Sequence, residues 1–79
     1  MDNLELRYND VELYHITDDL QKAFVMSIRQ SIEKALRPVK RELESSDGFV
    51  RINYKENKLE IKTYYLPLHL EEKIYRILK

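Results

Sequence analysis

Residues 49–66 read FVRINYKENKLEIKTYYL. Apolar and polar side chains alternate on both sides of Glu56-Asn57, the pattern of two strands joined by a two-residue turn. With that turn, Tyr54 opposes Leu59, Ile52 opposes Ile61 and Val50 opposes Thr63. The alternate face carries Arg51, Asn53, Glu60 and Lys62, so the sheet should be covered on one side and wet on the other.

The segment LELRYNDVELYHI at 4–16 repeats the pattern on a smaller scale. A turn at Asn9-Asp10 pairs Tyr8 with Val11, Arg7 with Glu12 and Leu6 with Leu13. That register puts Leu4, Leu6, Tyr8, Val11 and Leu13 on one face, with Arg7 opposite Glu12 on the other.

Between the hairpins, ITDDLQKAFVMSIRQSIEKALRPVKRELE at 16–44 has helical spacing at Leu20, Phe24, Val25, Ile28, Ile32, Ala35, Leu36, Val39 and Leu43. Thr17 or Asp18 can cap the first turn, and Asp18-x-x-Gln21 has capping-box spacing. Pro38 removes the amide that would bond the Lys34 carbonyl and disfavours helical geometry at Arg37. The apolar phase nonetheless runs on to Leu43, and arginine would be a poor cap for a second helix. These residues predict one long helix, kinked at Pro38. SSDG at 45–48 should end it, with Gly48 able to take the left-handed conformation that terminates helices or opens turns. LPLHLEEKIYRILK at 66–79 then predicts a short final helix with Pro67 in its first turn and Leu70, Ile74, Ile77 and Leu78 inward.

The expected fold is α+β, in the order β-β-α-β-β-α. Its two hairpins form one four-stranded antiparallel sheet, and the long kinked helix and the short C-terminal helix pack on one face. Seventy-nine residues at 43% hydrophobic, with one Gly and two Pro, make a single domain spanning 1–79. A core this small gains from association, so a homodimer is expected. No cysteine is present, which removes disulfides and thiolate metal sites and suits a cytoplasmic setting. The opening MDNLELRYND carries neither the basic nor the apolar region of a secretory signal, and no apolar run reaches the length of a membrane span.

The 14 basic and 14 acidic side chains cancel, but their distribution is uneven. Residues 1–20 sum to −5 and residues 21–43 to +4. Lys34, Arg37 and Arg41 fall opposite the apolar stripe of the helix, beside Lys40. Three or four cations on one stripe can hold an acidic partner or a few phosphates, the latter with steep salt dependence. The more ordinary reading of the same cations is a solvated face, with Glu33 supporting Arg37 at i,i+4. An overall basic excess, the footprint of extensive nucleic-acid binding, is missing. Tyr64 and Tyr65 form a second candidate surface, because tyrosine joins a large apolar ring to a polar tip.

Catalytic signatures are not found. His15 and His69 lack ligand spacing, the serines sit in no nucleophile elbow, and one glycine cannot build a phosphate loop. No cofactor is expected.

The helix followed by GFVRINYKENKLEIKTYYLPLHLEEKIYRIL is similar in order and spacing to the α-β-β-α portion of the DNA-damage-inducible DinI family. The resemblance implies an α+β fold and, for that family, modulation of the RecA recombinase filament, largely through an acidic final helix. Here Glu71 and Glu72 are outweighed by Lys73, Arg76 and Lys79, and an extra hairpin precedes the long helix. The resemblance is one of topology and assigns no functional residue.

The resulting expectation is a small non-catalytic protein-binding module, a regulator, inhibitor or adaptor of phage or bacterial type, with Lys34, Arg37, Lys40, Arg41, Tyr64 and Tyr65 as its partner-binding residues. The alternatives are a nucleic-acid-binding accessory protein that uses the basic helix face, and a small nuclease-like toxin.

Overall fold

Both two-residue turns form where the alternation places them, in a computed structural model that describes residues 3–78. Asn9 and Asp10 take φ of 49° and 68°, and Glu56 and Asn57 take 53° and 62°. Paired positive φ values are what a type I′ hairpin turn requires. Strand β1 (Leu4–Tyr8) pairs with β2 (Val11–Glu12), and β3 (Phe49–Lys55) pairs with β4 (Lys58–Tyr64), both antiparallel. The expected partners Arg7–Glu12, Tyr8–Val11, Val50–Thr63, Ile52–Ile61 and Tyr54–Leu59 are all in register.

The way the hairpins join differs from expectation. The sheet is mixed, in the order β2-β1-β3-β4, with β1 and β3 parallel from Leu4–Val50 to Tyr8–Tyr54. The expected all-antiparallel sheet is therefore corrected, while the α+β class holds. Strand β2 is only two residues long because Leu13–His15 leaves the ladder as a 3-10 turn, so Leu6 and Leu13 do not pair. So short a strand makes an edge and cannot serve as a central partner. Strand β1 offers five residues, and its Leu4 and Leu6 join Val50 and Ile52 at the centre of the core. Parallel pairing also extends past the strand ends, through Asn9 N–H to the Tyr54 carbonyl at 2.9 Å and Val50 N–H to the Asn3 carbonyl at 2.8 Å.

Three α-helices occur among the described residues: α1 (Asp19–Ala35), α2 (Lys40–Ser45) and α3 (Leu68–Leu78). Asp18 caps α1, its carboxylate accepting from the Gln21 amide at 2.9 Å. The one long kinked helix of the sequence reading is instead two helices joined by a 3-10 turn at Arg37–Val39. No side-chain cap is needed at the join, because the Val39 amide bonds the Leu36 carbonyl at 3.0 Å and Pro38 has no amide to satisfy. The poor capping power of Arg37 therefore does not prevent a break here.

Helix α1 runs antiparallel to β1. Phe24 near its start meets Tyr8 and Tyr54 edge to face at 6.2 and 5.3 Å, and those two rings stack at 5.8 Å. Arg29, further along, donates to the Leu4 carbonyl at 3.2 Å. Because Tyr8 ends β1, Leu20 lies one turn beyond the sheet and is 84% exposed; Ala35, at the other end of α1, is exposed too. Leu20 overhangs the surface it is expected to cover, whereas Ala35 lies beside the fully buried Leu36 yet is itself turned to solvent, so it is not part of the buried stripe. Helix α2 buries Leu43, and α3 buries Leu70 and Ile74.

The helix ends within SSDG as expected, but Gly48 does not use the left-handed conformation open to it. The α2 helix ends through Ser46, whose hydroxyl donates to the Leu43 carbonyl at 2.7 Å. Gly48 is instead required by close approach, since a Cβ there would run into the carbonyl oxygens of Tyr64 and Tyr65. Asp2 and Lys79, counted in the charge reading and the final helix, lie outside the described residues.

Candidate binding surfaces

Lys34, Arg37 and Lys40 come together at the junction of α1 and α2. With Gln30 and Glu33 they line a depression of about 230 Å³. The 3-10 turn explains which cations meet. At three residues per turn, side chains at i and i+3 eclipse, so Lys40 lines up above Arg37. On a continuous α-helix Arg41, at i+4, would extend the stripe from Lys34 and Arg37. Arg41 is exposed but does not line the depression. Three of the four expected cations thus converge and the fourth does not.

Their pairing also differs from expectation. Glu33 does not support Arg37; it accepts from the Arg29 guanidinium at 2.8 Å. Arg29 is held in turn by the Leu4 carbonyl, which locks this pair against β1. Lys34, Arg37, Lys40 and Arg41 make no ion pair with any described residue. The nearby Glu42 is drawn the other way, to Lys73 at 3.1 Å and His69 at 3.6 Å on α3. The depression is therefore left with uncompensated positive charge.

Tyr64 and Tyr65 do not form one patch. Tyr64 stacks on Phe49 at 4.8 Å on the helix-free face of the sheet. The Arg51 guanidinium lies 5.0 Å from the Tyr64 ring centre and donates to its hydroxyl at 3.1 Å. Tyr65 is 85% exposed and holds φ at 57°. Positive φ costs a bulky residue about 1 kcal/mol or more. The strain arises because the chain turns from β4 toward α3 while passing over Gly48. The alternation of residues 49–66 placed Tyr64 correctly in the strand but could not show that its ring was already engaged.

The open sheet face carries a polar network whose outward residues were foreseen but whose connections were not. Glu5 bridges Arg7 and Arg51 at 2.8 and 3.0 Å. Burial works against the Glu5 charge, yet the hydrogen bonds and positive charges of the two arginines outweigh it, and its pKa falls below 4.5. Asn53, buried despite being polar, accepts from the Asp10 amide at 3.1 Å and donates to the Asp10 carboxylate at 2.9 Å. Lys55 completes the Asp10 site at 2.9 Å, and its hydrogen bond holds that carboxyl below its ordinary value. These bonds pin the first hairpin turn onto β3.

His15 closes the first 3-10 turn and is exposed; His69 is exposed near Glu42. Among the described residues, no three His, Asp or Glu side chains come together as metal ligands. No described helix is long and apolar enough to cross a membrane. Comparison with protein-family models, with curated proteins and with solved structures finds no match to this chain.

Proposed function

We propose that this chain is a small non-catalytic binding module that receives an acidic segment of a partner protein in the depression lined by Lys34, Arg37 and Lys40. The observation that carries the reading is the absence of any ion pair to these cations from a described residue, while the adjacent Glu33 and Glu42 are committed elsewhere. Cations grouped at one exposed spot with no internal partner favour an external anion. The small extent of the patch and the zero net charge favour a short acidic peptide over a long phosphate track. A regulator, inhibitor or adaptor of the cytoplasm would act in this way, and a chain without cysteine suits that compartment.

Fluorescence anisotropy with a labelled oligoglutamate peptide, beside a labelled single-stranded DNA of equal charge, tests the proposal. The peptide should bind at low salt. Lys34→Glu with Arg37→Glu should weaken it about tenfold or more, and Arg41→Glu should do much less. All three sites are exposed, so the fold should survive the changes. DNA binding tighter than the peptide at every salt concentration would replace the acidic protein with nucleic acid. Binding indifferent to the double reversal would remove the site.

A further inference from the structure

We propose that β4 is the assembly edge of this protein, and that two copies join by antiparallel β4–β4 pairing about a two-fold axis at Ile61. The inference is independent of the basic depression, which lies on other elements.

The two edges of the sheet are unequal. β2 is two residues long, whereas β4 runs for seven, with every residue from Lys58 to Tyr64 in register with β3. An edge of that length with no proline or bulge is a template for another strand. A two-residue turn makes Lys55 and Lys58 a hydrogen-bonded pair, so the ladder directs Lys58, Glu60, Lys62 and Tyr64 toward β3. The backbone groups of Leu59, Ile61 and Thr63 therefore point outward. One bond corroborates that parity: the Tyr75 hydroxyl, on α3, donates to the Ile61 carbonyl at 3.2 Å. A carbonyl accepts two hydrogen bonds, so this one leaves room for a second. Outside β4 lies a groove lined by Lys58–Lys62 with Tyr75 and Leu78.

Side-chain charge selects the occupant. The strand reads Lys58-Leu59-Glu60-Ile61-Lys62-Thr63-Tyr64. Antiparallel pairing centred on Ile61 sets Glu60 of each copy opposite Lys62 of the other, twice by symmetry. It sets Leu59 opposite Thr63 and Ile61 opposite itself, all three at outward-bonding positions. A shift of the axis to residue 60 or 62 puts Glu60 against Glu60 or Lys62 against Lys62, which is unfavourable. Only the Ile61-centred register overlaps all seven residues with unlike charges matched. Leu59, now 41% exposed, would be covered at the seam. The product is an eight-stranded sheet with the helices of both copies on one face.

Sedimentation velocity from micromolar to submillimolar concentration should show a reversible dimer. Glu60→Lys should weaken it about tenfold or more, and adding Lys62→Glu should restore it to near the starting value. Both residues are exposed, and circular dichroism verifies that the variants fold. Because the chain lacks cysteine, cross-linking reads the register directly. Residues 60 and 62 form a non-hydrogen-bonded pair across the seam, with Cα atoms about 4.5 Å apart, within disulfide reach. Glu60→Cys mixed with Lys62→Cys should form a disulfide dimer faster than either variant alone. A monomer at every concentration would overturn the proposal and leave β4 to an extended segment of another protein. A dimer that ignores the charge swap, or cross-links equally well from one variant alone, would also overturn it.

Discussion

Glu5 shows how much of the open sheet face depends on one carboxylate. It joins Arg7 on its own strand to Arg51 on the parallel neighbour, across a separation of 46 residues. The alternation in the first hairpin placed Arg7 outward and opposite Glu12, and that pair exists at 3.6 Å. The shorter bond to Glu5 depended on β3 lying beside β1, which no local pattern encodes. The pKa of Glu5 is depressed in the fold, so the unfolded chain takes up the proton first as pH falls. The stabilisation is complete above the ordinary value of 4.5 and is lost as pH drops through the folded value. Asp10, lowered by Lys55, acts in the same sense. Urea midpoints should therefore hold steady near neutrality and decline below about pH 4, with Glu5→Gln making the decline shallower.

At the scale of elements, Pro38 determines which cations share a surface. Within a continuous helix it would cost about 3 kcal/mol, and replacing it by alanine would stabilise the protein. At the start of a 3-10 turn, with no amide bond to lose, it costs little and restricts the unfolded chain. Pro38→Ala should therefore lower stability by about 0.4–1 kcal/mol, read from chemical denaturation. A large gain would instead indicate a strained continuous helix. The helices themselves were legible because Leu36, Val39 and Leu43 keep apolar spacing and are all buried. The 3-10 turn was not, because a hydrophobic period near three and one near 3.6 cannot be told apart over a single turn.

For the whole molecule, the proposed β4 pairing would tie stability to concentration. If the folded state is that dimer, mass action links it to the unfolded monomer, and thermal midpoints should rise as protein concentration rises. The charge-reversed Glu60→Lys chain should show a flatter dependence, and differential scanning fluorimetry over a hundredfold dilution series reads both. A wild-type midpoint that does not move with concentration would speak against assembly.

The local order of the chain was written in its alternation and turn chemistry: two hairpins on two-residue turns, the full register of the second and the first two pairs of the first, a helix capped at Thr17 or Asp18 and a final amphipathic helix. Each rests on neighbours a few residues apart, whose steric and hydrogen-bonding rules act before any tertiary contact forms. The pairing of β1 with β3, the overhang of Leu20, the role of Gly48 and the grouping of Lys34, Arg37 and Lys40 belonged to the assembled fold. They depend on which edge remains free and how far each helix outruns the sheet. Those quantities exist only once segments distant in the chain compete for the same surface.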